Sequence, residues 1–118
     1  MMIRVILIAL IAFTAGCGKD MGSTTEFDQA TSQVLQPADP ALAEIYSRSC
    51  RSCHTVAATG APLTGDVAGW SPRLEKGMDT LVNNVVNGSG GMPPFGMCMD
   101  CDLDQFEALI EFMARGKD

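Results

Sequence analysis

Histidine is almost missing from this chain: His54 is the only one among 118 residues. Any site that pairs two imidazoles is therefore excluded, and so is a second histidine acting as a distal acid or base. Basic charge is also scarce, with eight Lys and Arg against fourteen Asp and Glu. From Cys17 onward the balance is seven against fourteen, about −7. Nucleic acid is not a partner for such a surface; a docking partner with a basic face, or a local patch of different sign, suits it better. There is no apolar run long enough to cross a bilayer as a helix, which takes about 20 residues. The conspicuous one ends after Val5 to Phe13. Internal repeats and strand-like alternation are absent too, which leaves an all-α architecture.

Cysteine, by contrast, is plentiful for the length, and its placement is informative. Cys50-Arg51-Ser52-Cys53-His54 sets two thiols three residues apart with an imidazole directly after the second. A bare C-x-x-C also serves zinc sites, thiol oxidoreductases and tight disulfides. With histidine next in line, the spacing is what covalent haem attachment requires: each thiol adds to one vinyl group, and the next residue reaches the iron from below. Cys50 and Cys53 are thus the expected haem thioethers, and His54 the expected axial ligand of one haem c.

The remaining cysteines fit an exported protein. Met1 to Arg4, the apolar run and Thr14-Ala15-Gly16-Cys17 read as a signal segment over residues 1–16. Ala15-Gly16-Cys17 resembles the end of a bacterial lipobox, though Phe13 and Thr14 stand where leucine is usual. The expectation is acylation of Cys17 and membrane association in the periplasm, with simple cleavage and release as the alternative. Cys98 and Cys101 then pair as a disulfide in an oxidising compartment, and no thiol is left over.

Residues 17–38 are rich in Gly, Ser, Thr, Gln and Asp and read as a flexible tether. Residues 39–118 form the single domain, small enough that a buried cofactor must supply part of its core. Asp39-Pro40 reads as an N-cap with proline at the first helical position, and Leu42, Ile45 and Tyr46 share a face running into Cys50. Between Thr55 and Gly77 the glycines and prolines predict mostly loop with a short helical turn. Asp79 or Thr80 would cap a helix striped by Leu81, Val82, Val85 and Val86 and stopped at Gly88. Asp102 with Gln105 resembles a capping box, followed by Leu103, Phe106, Ile110 and Met113 at helical spacing. Three to five helices enclosing one haem are expected.

The other side of the iron has methionine, lysine, water or nothing to choose from. Methionine is favoured, and Met92 stands apart because Gly90-Gly91 permit close backbone approach while Pro93-Pro94 stiffen the chain after it. Met97 and Met99 are the competitors; Met113 falls on an apolar helix stripe, where packing is the ordinary role.

Together Cys50-x-x-Cys-His54, Gly60-Ala61-Pro62, Gly65-Asp66, Trp70-Ser71-Pro72-Arg73, Gly77, Met92-Pro93-Pro94 and Cys98-x-x-Cys101 resemble the cytochrome c5 family of bacterial class I monohaem cytochromes, over about Tyr46 to Met113. The resemblance implies Met92 as sixth ligand and a disulfide between Cys98 and Cys101 on that side of the haem. It further implies a Pro62 carbonyl that accepts from the proximal histidine, and Trp70 and Arg73 near the propionates. It also implies a one-electron carrier, not an enzyme, that docks transiently with other redox proteins. Two competing readings remain: a haem protein with an open or displaceable sixth position for gas sensing or catalysis, and a four-cysteine metal site.

Overall fold

The computed structural model describes residues 27–118. The signal segment, Cys17 and the first part of the expected tether lie outside the described residues.

Among the described residues the architecture is helical, and the only strand-like feature is an isolated bridge between Ser89 and Met92. Helix α1 spans Gln29–Val34, with the Asp28 carboxylate accepting from the Ala30 N–H at 3.1 Å. Helix α2 (Pro40–Ile45) starts at Asp39, whose carboxylate accepts from the Leu42 N–H at 2.9 Å, with Pro40 in the first turn. It runs on through a π-helical turn, Tyr46–Cys50, into α3 (Arg51–His54). Tyr46 and His54 both turn inward from this continuous stretch. A π turn directly before the haem motif fits the habit of such turns to collect at functional sites.

Helix α4 (Val67–Leu74) is longer than the short turn expected between Thr55 and Gly77. Gly69 and Pro72 disguise its periodicity, but Asp66 caps it through the Gly69 N–H at 3.0 Å and Trp70 anchors it in the core at 4 % exposure. Helix α5 (Met78–Asn87) also starts differently from expectation. Its N-cap is Gly77 at φ 89°, and Asp79 lies in the first turn, where a carboxylate complements the helix dipole without capping. Leu81, Val82 and Val85 are buried, Val86 is half-buried, and Gly88 ends the helix at φ 80°.

Helix α6 (Leu103–Arg115) has both halves of its capping box: Asp102 accepts from the Gln105 N–H at 2.8 Å, and Gln105 accepts from the Asp102 N–H at 3.0 Å. Phe106, Ile110 and Met113 are buried as the spacing predicted. Leu103 is not; at the first helical position, before the stripe meets the core, it stays 58 % exposed. Tyr46 meets Phe112 edge to face at 5.1 Å, joining the attachment stretch to α6.

Packed structure starts earlier than a tether reaching residue 38 would allow. Ser32 and Pro37 are buried, and Leu35 packs against the core. A segment with few apolar residues is held here by hydrogen bonds from its polar side chains as well as by Leu35 and Pro37, and composition alone does not signal such bonds. No helix among the described residues is long and apolar enough to cross a membrane.

Candidate functional site

His54 ends α3 and is buried. Its Nδ1 lies 2.8 Å from the Pro62 carbonyl oxygen. Carrying the proton on Nδ1 makes that nitrogen the donor and leaves Nε2 free as a metal ligand, with a ring made more basic by the bond behind it. Burial pushes the imidazole pKa down; the Pro62 bond opposes this in part, and the Arg73 charge adds to it. The neutral ring that a metal needs is the favoured form.

The loop holding Pro62 is itself pinned. Thr64 donates its N–H to the His54 carbonyl at 2.7 Å, so residues 62–64 grip the histidine at both ring and backbone. Tyr46 donates its hydroxyl to Thr64 Oγ1 at 3.0 Å, and Trp70 donates Nε1–H to the Leu63 carbonyl at 2.8 Å. The Trp70 ring stacks on His54 with centroids 5.7 Å apart. Because its indole N–H is committed to Leu63, the role visible for Trp70 is as wall and loop anchor, and not as a donor to a propionate. Arg73 is half-buried and donates Nη1–H to the Gly69 carbonyl of its own helix. Leu63 and Thr64 were not singled out from the sequence, and Tyr46 only as part of an apolar helix face, because a buried bond between distant residues leaves no local pattern.

Among the described residues Cys50 and Cys53 are the two cysteines without a sulfur partner. Burial pushes the Cys50 thiol up to about 11, so it is a thiol and not a thiolate at neutral pH. Cys98 and Cys101 stand within disulfide reach of each other, with Cα atoms 5.4 Å apart. Paired with each other, they would leave only Cys50 and Cys53 to a four-cysteine site.

Cys50 and Met92 line one narrow apolar pocket together with Val85, Phe95, Phe106 and Ile110. Met92 is fixed by reciprocal backbone bonds, N–H to the Ser89 carbonyl at 2.9 Å and carbonyl from the Ser89 N–H at 3.1 Å. A Cβ on Gly96 would lie 3.1 Å from the Met92 Cε, so the glycine leaves room for the thioether. Met97 and Met99 are 72 % and 73 % exposed and do not line the pocket; Met113 does line it, from the buried stripe of α6, at 3 % exposure. Phe95 and Met97 take left-handed backbone angles, φ 59° and 65°, uncommon for residues with side chains. Pro93 and Pro94 stiffen the start of this loop.

Two thiols, a neutral histidine with one free nitrogen, and an apolar pocket edged by a thioether suit a haem: they offer covalent attachment, an iron ligand and a dry wall. Fold and site together define a class I monohaem c-type cytochrome. The family model described as "Cytochrome C oxidase, cbb3-type, subunit III" matches residues 37–113. Cytochrome c5 of Azotobacter vinelandii is 34% identical over 73 residues, covering 60% of this chain and 88% of that protein. Cytochrome c-555 of Chlorobaculum tepidum is 46% identical over 46 residues, 39% of this chain and 43% of its own. A cytochrome chain from the crystal structure of an electron transfer complex of nitrite reductase with cytochrome c superposes with a TM-score of 0.57 at 36% identity, covering 65% of this chain and 98% of that one. The chain belongs to the cytochrome c5-like family of the class I cytochromes, with one covalently bound haem c and the task of carrying electrons.

Proposed function

We propose that this cytochrome is a periplasmic one-electron carrier with His54 and Met92 as its two axial ligands, not an enzyme, and that it exchanges electrons with other redox proteins by brief docking. The haem iron supplies the reversible ferric/ferrous couple. The protein holds Nε2 on one side through the Pro62 bond, and on the other offers a thioether from a backbone that has little freedom to move. Two strong-field donors on stiff supports leave no room for substrate and keep the ligand set unchanged between oxidation states. The soft thioether favours ferrous iron and raises the potential relative to a second imidazole.

The observation that carries this reading is Met92 itself: half-buried at the edge of the same apolar pocket as Cys50, with its backbone locked to Ser89 and its methyl facing Gly96. An acylated Cys17 would hold the domain close to a membrane. Residues 18–26 reach at most roughly 30 Å when fully extended. Visible spectra of the mature protein, oxidised, reduced and then exposed to carbon monoxide, test the ligand set. Low-spin bands, a far-red sulfur-to-iron band in the ferric form and indifference to carbon monoxide are expected. High-spin bands or ready carbon monoxide binding would favour the gas-sensing or catalytic reading instead.

A further inference from the structure

The short helix before the haem-attachment stretch has no part in the ligand set, yet its polar side chains are spent on the backbone around the proximal histidine. Ser32 is fully buried and donates its hydroxyl to the His54 carbonyl at 3.1 Å. Gln29 accepts from the Ala57 N–H through Oε1 at 2.7 Å, Gln33 reaches the Thr55 carbonyl at 3.5 Å, and Arg51 donates to the Gln33 carbonyl at 2.6 Å. One turn of helix thus touches residues 51, 54, 55 and 57, on both sides of the iron ligand. Its C-terminal end is wedged in place. Leu35 Cδ1 sits where a Cβ on Gly65 or on Gly116 would fall, at 2.6 and 3.0 Å, and both glycines have left-handed φ.

We infer that residues 27–37 form a positioning clamp for the proximal ligand, with Ser32 as its working residue, so that the haem potential depends on a segment lying ahead of the attachment helix. This rests on His54 being the iron ligand. The His54 carbonyl accepts two bonds, from Ser32 and from Thr64, and Thr64 belongs to the same three residues whose Pro62 carbonyl takes the ring proton. Removing the Ser32 hydroxyl leaves a buried carbonyl half satisfied and loosens that grip. A looser bond to Pro62 makes the ring a weaker donor, which disfavours ferric iron and raises the potential.

The test uses the haem-loaded mature protein and three variants: Ser32→Ala, Ser32→Thr, and Leu35→Ala, which undocks the segment while keeping the hydroxyl. Two quantities are read: the midpoint potential, and hydrogen exchange at the Thr64 amide. Ser32→Ala should raise the potential and speed Thr64 exchange about five- to tenfold. Leu35→Ala should move both the same way, and Ser32→Thr should stay near the wild type. If Ser32→Ala leaves both unchanged, Ser32 is packing only and the inference fails, even where Leu35→Ala has an effect. A wild-type spectrum without histidine-ligated low-spin haem would instead overturn the ligand assignment, and the clamp with it.

Discussion

The surroundings of His54 and of Met92, the two proposed iron ligands, are held by different means. On the histidine side, restraint comes from residues far apart in sequence: Ser32, Tyr46 and Trp70 all converge on His54 or on residues 62–64. On the methionine side it is nearly all local. Met92 is locked by Ser89, followed by two prolines, and backed by a loop that brings Cys98 and Cys101 within disulfide reach. A ligand whose ring orientation sets donor strength needs a three-dimensional cage, whereas a thioether on a flexible side chain needs mainly a backbone that stays put. Damage to the two sides should therefore show up differently, as lost ligation on one and lost stability on the other.

The largest effect should follow Met92→Ala. The far-red ferric band disappears, the iron becomes high-spin or takes up a replacement ligand, carbon monoxide binds the ferrous form, and the potential drops. The melting temperature should move far less than these spectra, because Met92 is only half-buried and the histidine cage is untouched. A spectrum unchanged by the substitution would remove Met92 from the iron.

Tyr46→Phe should give the opposite pattern. The ring keeps its edge-to-face contact with Phe112, but Thr64 Oγ1 loses a donor in a fully buried place. A loss of about 1–3 kcal/mol is expected, seen as a lower melting temperature with the Met92 band still present. If the band were lost while the melt stayed unchanged, the division between the two sides would not hold. Gly96→Ala comes next and belongs to the methionine side. At φ 53° an alanine costs about 1–2 kcal/mol, and its Cβ would crowd the Met92 Cε. The far-red band should weaken or shift in proportion to that crowding, a response Tyr46→Phe should not share.

The same contrast explains what could be read from the chain. Cys50 to His54 was legible because the chemistry itself demands contiguous residues. Met92 stood out as a candidate because its restraints, Gly90-Gly91 and Pro93-Pro94, are its neighbours in sequence, and the structure places it in one pocket with Cys50. Helix α6 announced itself through a capping box and a repeated apolar stripe, apart from Leu103, which precedes the point where the helix meets the core. The histidine cage was much less visible. The Pro62 carbonyl was expected through family resemblance alone, and the bonds from Tyr46, Trp70 and Ser32 join residues with no shared pattern. Helix α4 was underestimated because Gly69 and Pro72 break its period while a single tryptophan holds it down. Helix α1 was missed because polar composition normally signals a solvated tether, and here the polar groups are bonded inward.

One ion pair bridges the two systems. Arg48, on the π turn before the haem motif, donates to both carboxylate oxygens of Asp100 at 2.8 and 3.0 Å and also reaches the Cys98 sulfur at 3.4 Å. It links the attachment stretch to the methionine-side loop, but both partners are exposed, at 39% and 74%. Such pairs are weak and screened by salt. The Arg48 hydrogen bond holds the Asp100 carboxyl below its ordinary pKa. For a carboxyl depressed in the folded state, the contribution is complete above the unfolded value near 4 and fades as pH falls through the folded one. Asp100→Asn should therefore cause the smallest shift of the set, detectable near neutral pH at low ionic strength, reduced by added salt and absent once the pH has fallen below the depressed folded-state pKa of the wild-type carboxyl. An equal loss at all pH values and salt concentrations would mean that Asp100 acts through loop shape, and that the two sides of the haem are coupled by more than this one charge pair.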